Sequence, residues 1–354
     1  MGSSRTHARG AVLLAGAILA AGACSAGTVT SSRAPGPSSA AVSGSAAAAG
    51  ATCAPGSLGT LRVAMVTPFN LGSIALFGAD KLGTFAGTGL NVQLVVATSP
   101  TADPLLATGS VDIVDESPNK PVADIAKGLQ AKVMGAESLS WGQVVIASSK
   151  EHITSVSQLE GKTFGVSGFG SGGYFATLQV AQHFGWSTSQ YKITQLGGLP
   201  QLVAGLKSGA IDAFIWNDEE GAVLQAEGIA TDLGSVDPYI HAAGDVFVVS
   251  DKALSSHGPA IRAFFKALYA EQARLVAKPT VGRDLAISDF KQNAAATDSV
   301  YSEVLGTLST DGQIPAANLK VIGEAALLSN PDLKSVNMPS TYEYWQNLPA
   351  GPAC

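Results

Sequence analysis

Residues 166–175 read VSGFGSGGYF, in which Gly168, Gly170 and Gly173 follow the spacing G-x-G-x-x-G. That spacing is associated with dinucleotide binding, because glycines let the backbone approach a pyrophosphate at the start of a helix. A dinucleotide site also needs an acidic residue about 20 residues further on, at the end of the next strand, to bind the ribose. Gln195 stands there instead, and the G-K-[ST] of a P-loop is missing. We therefore exclude a nucleotide site.

The same glycines still predict a surface that accepts a ligand. The first turn of a helix carries unpaired backbone N–H groups, which favour an anionic or electron-rich group. Ser171 would add a hydroxyl. A tight strand-to-helix turn without any ligand explains the glycines equally well, so both interpretations stay open here.

Acidic residues follow two other predicted strands. Residues 105–117 (LLATGSVDIVDES) and 205–219 (GLKSGAIDAFIWNDE) share a short helix, a glycine turn, an aspartate, a strand and an acidic segment. Open α/β sheets bind ligands at the carboxyl ends of their strands, so the two segments predict two similar lobes with acids at that edge. The alternative is that Asp115 and Asp218 cap helices and point away from any ligand.

Alternating strands and short helices surround these segments. Such alternation implies βαβ units and mostly parallel sheets, with helices dominating from residue 258 to about 348. The predicted strands are residues 61–67, 90–96, 110–114, 131–136, 143–149, 163–166, 192–195, 210–216 and 246–250.

The composition excludes one class of partner. The chain has 354 residues, of which 46% are hydrophobic and 14% charged, and its formal net charge is -6. That length is enough for two lobes. We expect no nucleic-acid partner, because phosphate binding needs a basic surplus that this sequence lacks.

The N-terminus has the pattern of a secretion signal. Basic residues precede the apolar run 11–21, which is too short to span a bilayer. Small residues directly before Cys24 resemble a lipobox, although Ala21 stands where leucine is usual. We expect residues 1–24 to be a lipoprotein signal peptide with Cys24 lipidated; ordinary cleavage with Cys24 incidental is the alternative.

Residues 25–58 are rich in Ser, Ala, Gly and Pro and predict a disordered linker. Cys53 and Cys354 would then be the remaining cysteines in an oxidising compartment. They form either a disulfide between the two ends of the body or two free thiols. No Cys/His spacing indicates a metal site, so we expect no metal and no cofactor.

Four ordered segments resemble a known family. Residues 79–95, 106–117, 159–178 and 206–219, behind the lipobox-like cysteine, are similar to extracytoplasmic solute-binding proteins of ABC importers. The branch is that of nitrate, sulfonate, taurine and thiamine-precursor receptors (SsuA/THI5-like, NMT1). The resemblance covers about residues 61–250.

The resemblance implies an α/β, two-lobed periplasmic-binding-protein type II fold. Each lobe would hold a mostly parallel sheet flanked by helices, with a hinge between the lobes. Lobe 1 would be residues 59–145 and 246–350, and lobe 2 residues 146–245. The implied function is that of a monomeric, lipid-anchored, extracytoplasmic receptor, which captures a small organic solute and delivers it to a membrane permease with its ATPase subunits.

The matching positions imply a ligand site at the strand ends and at the glycine run. A nitrate or sulfonate receptor would want Arg or Lys there, but only Lys120 is basic at these loops. The acids and nearby aromatic rings fit a cationic, zwitterionic or amine-bearing heterocyclic ligand; sulfonates, amines and heterocyclic precursors all stay open. The implied residues are Pro68, Phe69, Asn70, Asp115, Glu116, Ser117, Trp141, Gly170, Ser171, Gly172, Gly173, Tyr174, Asn217, Asp218 and Glu219.

Two other functions share this fold. THI5-type pyrimidine synthases resemble it but use a site histidine and a Cys-rich iron-binding motif. Here the cysteines of the mature chain lie only near its ends, and no Ser-His-Asp or Cys-His set has a recognisable spacing. We therefore expect that the protein is not an enzyme. A non-transport surface protein would keep the lobes but not a cleft that closes.

Overall fold

The structure is a computed structural model that describes residues 53–66 and 69–350. Its strands are β1 (Gly59–Met65), β2 (Leu90–Val96), β3 (Ile113–Glu116), β4 (Ala131–Ala136), β5 (Gln143–Ser148), β6 (Thr163–Val166), β7 (Lys192–Gln195), β8 (Ala213–Asn217), β9 (Ala230–Ser235) and β10 (Val246–Ser250). Its α-helices are α1 (Ile74–Phe77), α2 (Ala79–Leu82), α3 (Ser99–Thr108), α4 (Asn119–Ala126), α5 (Gly172–His183), α6 (Leu199–Ser208), α7 (Asp218–Ala226), α8 (Asp251–Ala277), α9 (Pro279–Ser288), α10 (Ala294–Thr307), α11 (Ala316–Ser329) and α12 (Met338–Thr341).

Two five-stranded sheets form two lobes. The first sheet has the order β2-β1-β3-β10-β4, and the second has the order β7-β6-β8-β5-β9. In each sheet four strands run in one direction and one runs against them. The reversed strand is β10 in the first sheet and β5 in the second. The predicted α/β architecture of two mostly parallel sheets with flanking helices is confirmed.

Each reversed strand is the one by which the chain arrives from the other lobe. Strand β4 ends at the carboxyl edge of the first sheet, and β5 follows it in the second sheet after a short connection. The carboxyl edges of both sheets face the same cleft. A short connection from one edge therefore reaches only a strand that begins at the carboxyl edge of the other sheet and runs antiparallel to its neighbours. The chain passes between the sheets at residues 137–142, the first crossing, and 236–245, the second crossing. The predicted lobe boundaries stay predictions.

An aspartate joins two strands in the same way in both sheets. Asp112 Oδ2 accepts the N–H of Arg62 at 2.9 Å, and the Asp112 N–H donates to the Arg62 carbonyl at 2.9 Å. Asp212 makes the same pair of bonds with Thr163, at 2.7 and 2.8 Å. A glycine with left-handed φ, +73° or +79°, ends the helix before each aspartate. The layout that the two sequence segments share is therefore shared in three dimensions.

Three elements differ from the sequence-based expectation. Strand β9 was not predicted, because its sequence ATDLGS lacks a hydrophobic pattern; it is an edge strand that pairs only with β5. The sequence predicts a single helix over residues 74–82, but the structure divides it into α1 and α2 at Gly78. The sequence predicts an acidic loop after β8, but this segment is the first turn of α7.

The C-terminal helices pack on the first sheet. The Phe247 ring of β10 lies with its centroid 6.1 Å from that of Phe264 and 5.7 Å from that of Phe265, both on α8. All three side chains are fully buried. The Glu343 N–H donates to the Val133 carbonyl at 2.9 Å and ties the last described segment to β4. Among the described helices, none combines the length and the apolar character needed to cross a membrane.

Substitution of Phe214 tests the packing of the second lobe's core. It is fully buried in β8, the strand that leads to the acids of α7. Phe214→Ala should lower the free energy of unfolding by about 3–5 kcal/mol, because the missing ring leaves a cavity. Denaturant unfolding followed by circular dichroism measures the loss. Phe169→Ala is the control: its ring is 62% exposed, and we expect a change within about 0.5 kcal/mol. Equal losses at both positions would contradict this packing.

Candidate ligand-binding cleft

The two crossings are hydrogen-bonded to each other at the carboxyl edges of the sheets. The Glu137 N–H donates to the Asp245 carbonyl at 2.8 Å, and the Gly244 N–H donates to the Ser138 carbonyl at 3.2 Å. The Trp141 N–H donates to Asp237 Oδ1 at 3.1 Å. Side chains of both crossings are therefore held together in the cleft between the lobes.

Three carboxyl groups meet where the crossings leave the first sheet. Asp115 lies in β3, Glu137 directly follows β4, and Asp245 directly precedes β10. One carboxylate oxygen from each lies within 4.8 Å of the other two. Hydroxyls of Ser73 and Ser117 donate to Glu137 Oε2 at 3.0 Å and to Asp245 Oδ1 at 2.9 Å. We call these three acids the acidic cluster.

Asp115 and Glu137 of the acidic cluster are buried and Asp245 is half-buried, so the three carboxyl groups repel one another when ionised. Burial raises the pKa of Glu137 to about 8, and repulsion from Asp245 adds to the shift, while the hydrogen bond from Ser73 opposes it. Burial, followed by repulsion from Glu137 and Asp245, raises the pKa of Asp115 well above its usual value. Burial also raises the pKa of Asp245. Asp115 Oδ1 and Glu137 Oε1 are buried without a hydrogen-bond partner among the described residues.

The chemistry of this cluster favours a cation. Carboxylate and hydroxyl oxygens suit a hard metal ion or the N–H groups of an ammonium. The expectation of no metal site rested on Cys and His spacing, which says nothing about a set of carboxylates. By donor type alone, the cluster fits either kind of cation.

A second acidic pair lies on the other lobe, in the first turn of α7. Burial raises the pKa of Asp218 to about 7, and repulsion from Glu303 adds to it. Burial and then repulsion from Glu220 raise the pKa of Glu219 to about 7. Asp218 Oδ1 and Glu219 Oε1 are buried without a hydrogen-bond partner among the described residues.

Neither Asp115 nor Asp218 caps a helix. Asn217 is the N-cap of α7, since its side chain accepts the N–H of Glu220 at 2.9 Å. Asp115 lies within a strand, one residue from its end. The capping alternative for these two aspartates is therefore wrong, and their burial needs another explanation.

Four of these acids line one cavity, which we call the acidic cavity. Glu137 and Asp245 face it from the crossings, and Asp218 and Glu219 from α7. The space between its walls is about 700 Å³ when open solvent is included, and Trp141 and Trp216 also line it. None of its described lining residues is Lys, Arg or His.

The glycine run borders a second cavity, the glycine cavity. It encloses about 880 Å³, part of it open to solvent, and it shares Gln143 and Trp216 with the acidic cavity. A Cβ on Gly172 would lie 2.4 Å from Ser117 Oγ of the first lobe, and one on Gly173 would lie 3.0 Å from the Ile215 carbonyl oxygen. The glycines are therefore required by close packing, both within the second lobe and between the lobes.

The Gly170 carbonyl also binds the first lobe, by accepting the Asn119 side-chain N–H at 2.8 Å. Ser171 caps α5, with its hydroxyl accepting the N–H of Tyr174 at 3.2 Å. Lys120, the basic residue expected near the site, forms ion pairs with Asp103 and, at 2.9 Å, with Asp124. Lys120 lines neither cavity.

The residues implied for the site divide between the two cavities, and their role in binding stays a prediction. The acidic cavity takes Asn70, Trp141, Asn217, Asp218 and Glu219. The glycine cavity takes Glu116, Ser117, Ser171, Gly172 and Gly173. The described residues that line neither are Phe69, Asp115, Gly170 and Tyr174. Pro68 lies outside the described residues, as do Cys24 and Cys354.

Some of the residues that line neither cavity have other contacts. Asp115 belongs to the acidic cluster beside the acidic cavity. Phe69 is 54% exposed, and its ring packs 5.5 Å from that of Phe77. The Tyr174 ring packs edge-on against Phe169 at 5.5 Å. These rings lie outside the lining of both cavities.

Sequence reasoning missed several lining residues, among them Glu137, Gln143 and Asp245. Glu137 follows the predicted strand 131–136 as directly as Asp115 follows the predicted strand 110–114, so the same rule would have found it. Gln143 accepts the Trp141 indole N–H at 2.9 Å, and this bond fixes one indole against the cavity wall. Cys53 takes part in a disulfide whose partner lies outside the described residues, so its pairing with Cys354 stays a prediction.

Residues 70–280 match the family model described as "NMT1/THI5 like". The chain belongs to the NMT1/THI5-like family. The match spans both crossings and most residues of both cavities. No curated protein sequence matches the chain.

Solved structures of other proteins share the fold of this NMT1/THI5-like chain. The alkanesulfonate-binding protein SsuA from Xanthomonas axonopodis pv. citri, bound to MOPS, has a TM-score of 0.68 at 18% identity, covering 80% of this chain and 98% of its own. The Candida albicans CA3427 gene product, described as having the generic periplasmic binding protein fold, has a TM-score of 0.66 at 21% identity, covering 83% and 98%. The desulfurization enzyme DSZB has a TM-score of 0.57 at 15% identity, covering 81% and 98%. The periplasmic-binding-protein fold is confirmed, and it occurs in a binding protein and in an enzyme.

The ionisation of Glu137 should be visible in the pH dependence of stability. Its pKa is raised from 4.5 to about 8, so between these values the folded state keeps a proton that the unfolded state releases. The free energy of unfolding therefore falls as pH rises from about 4.5 to 8 and levels off above 8. Glu137→Gln should remove part of that fall, as measured by denaturant unfolding across this pH range.

Asp332→Asn, a change at an exposed carboxyl, is the control and should leave the pH profile of the free energy of unfolding unchanged. A Glu137→Gln profile that runs parallel to that of the original protein would contradict a buried, protonated Glu137.

Proposed function

We propose that the protein is the solute-binding component of an ABC importer, which captures a small organic solute between its lobes and delivers it to a membrane permease. The observation that carries the proposal is that both lobes line both cavities. A solute in either cavity contacts both lobes at once. Such contacts favour the closed arrangement over the open one, so that binding of the solute shifts the lobes towards closure.

An enzyme is the second candidate, since DSZB shares the fold. The lining of the two cavities argues against it. The described histidines His152, His183, His241 and His257 line neither cavity, and Cys53 is engaged in a disulfide. No described histidine or cysteine is therefore placed to act as a base or a nucleophile in either cavity.

A surface protein without a working cleft is the third candidate. Close packing between the lobes argues for a cleft that opens and closes. Gly172 faces Ser117 with no room for a side chain, and Asn119 donates to the Gly170 carbonyl across the same gap. Close contacts of this kind between the lobes are expected in the closed state of a receptor and support the proposal.

A screen for thermal stabilisation tests the receptor. The mature protein, mixed with sulfonates, amines and pyrimidines in turn, should be stabilised by its true ligand by RT ln(1 + [L]/Kd), about 2.7 kcal/mol at a hundredfold excess over Kd. A broad screen in which no compound raises the melting temperature would count against the receptor.

Two glycine variants test whether the contact between Gly172 and Ser117 contributes to binding of the compound that the screen finds. A methyl group on Gly172 meets Ser117, so Gly172→Ala should weaken binding by about tenfold or more, or 1.4 kcal/mol, measured by calorimetry. Gly258→Ala, where an added Cβ meets nothing within 4 Å, should keep the affinity. Unchanged binding by Gly172→Ala would show that closure at this contact is not part of ligand capture.

We also propose that Cys24 anchors the receptor outside the cell membrane, where permease and ATPase subunits receive the solute. Cys24→Ala should move the protein from the membrane pellet to the supernatant after fractionation, because the acyl chains are lost. The position of the protein is followed by immunoblot. Protein that stays in the pellet would contradict the lipid anchor.

A further inference from the structure

The acidic cavity has carboxyl groups at two separate places, one on each lobe. Glu137 and Asp245 belong to the acidic cluster at the crossings, and Asp218 and Glu219 to the first turn of α7. No basic side chain from the described residues lines the cavity. A buried carboxylate is normally paired with a cation, so these groups leave two positions for positive charge.

We propose that the acidic cavity binds a linear diamine, with one ammonium at the acidic cluster and the other at Asp218 and Glu219. The alkyl chain between them would lie against the indoles of Trp141 and Trp216. This inference rests on the proposed receptor function and names the substrate class of the same cleft.

Unpartnered oxygens point to a ligand at both ends. Glu137 is 3% exposed, and Asp218 and Glu219 are 7% and 6% exposed. Each lines the cavity and has an oxygen without a hydrogen-bond partner among the described residues. A buried acceptor without a donor is costly, and an ammonium supplies up to three N–H donors together with the opposite charge.

The acidic cluster offers an ammonium three acceptors around one position. Its three carboxylate oxygens lie within 4.8 Å of one another. Oxygens no farther apart than this can all be reached by one nitrogen at about 2.8 Å. A calcium ion would need six to eight oxygens at about 2.3–2.6 Å. A single metal ion would also leave the acids of α7 without a counter-charge.

A zwitterion fits the cleft less well than a diamine. Its anionic end would have to meet either the acidic cavity or the glycine cavity, where the N-terminus of α5 offers N–H groups. The glycine cavity is lined by Glu116, which is 2% exposed and has an oxygen without a hydrogen-bond partner among the described residues. A carboxyl group in that position repels an anion or has to hold a proton beside it.

The location of the two acidic groups also links binding to closure. Closing the lobes would bring the carboxyls of α7 towards those of the crossings, and those that are ionised would oppose this approach. A ligand with positive charge at both ends neutralises both groups and favours the closed state. A monoamine neutralises only one, so the preference for two charges is the property to measure.

Titration calorimetry with defined amines tests the proposal. The probes are 1,3-diaminopropane, 1,4-diaminobutane, 1,5-diaminopentane, 1,6-diaminohexane and n-butylamine, with Ca²⁺ and β-alanine in separate titrations. We expect one chain length to bind about 10- to 100-fold more tightly than n-butylamine, because a second charged contact is made. Equal affinity for n-butylamine, or tighter binding of Ca²⁺ or β-alanine, would overturn the inference.

Variants locate the two ends. Glu137→Gln and Asp218→Asn should each reduce the diamine preference to about that of a single charged contact, with n-butylamine as reference. Asp103→Asn is the matched control, since Asp103 is 3% exposed and has an unpartnered oxygen but does not line the acidic cavity. It should keep the preference. Two end variants that retain it would overturn the assignment of the ends.

The outcome separates this inference from the receptor function. If a sulfonate or a pyrimidine stabilises the protein and no diamine binds, the receptor stands and the diamine is wrong. If no compound of any class stabilises the protein, the receptor itself is contradicted, and the diamine with it. The length series uses the unaltered protein, so the result does not depend on how well the variants fold.

Discussion

The direction of β5 and β10 is the constraint on which the cleft depends. Each lobe receives the chain at the carboxyl edge of its sheet, so the strand that arrives runs against its neighbours. Both crossings are therefore confined to the space between the lobes, where backbone hydrogen bonds hold them side by side. Glu137, Trp141 and Asp245 reach the cleft because of this direction and not because of any local motif.

The electrostatic interactions in the cleft are less favourable than those in the rest of the molecule. An aromatic-rich apolar layer around α8 and an aliphatic layer around β8 support a wall where buried carboxyls repel one another. A fold can keep such a wall only if its remaining core stabilises it, as functional sites generally require. Burial in this wall, together with repulsion between neighbouring acids, raises the pKa values of Glu137, Asp218 and Glu219.

Much of the fold followed from the sequence, because strand and helix patterns are local. The similar segments 105–117 and 205–219 also predicted that the two lobes are alike. Asp112 and Asp212 explain this similarity, because each joins two strands of its sheet by the same pair of hydrogen bonds. Strand β9 was not predicted, because pairing with β5 at the edge of the sheet stabilises a sequence that has no hydrophobic pattern of its own. The partition of the site residues into two cavities was also unpredictable, since it depends on contacts such as Gly172 with Ser117, 55 positions away in the chain.

The hydrogen bonds between the crossings also restrict how the lobes can move. Glu137 and Asp245 belong to the bonded crossings, whereas Asp218 and Glu219 belong to α7 of the second lobe. In the receptor proposed above, rotation of the second lobe about the crossings would move the carboxyls of α7 farther than those of the crossings. The crossings would then be the stationary wall against which a solute is enclosed.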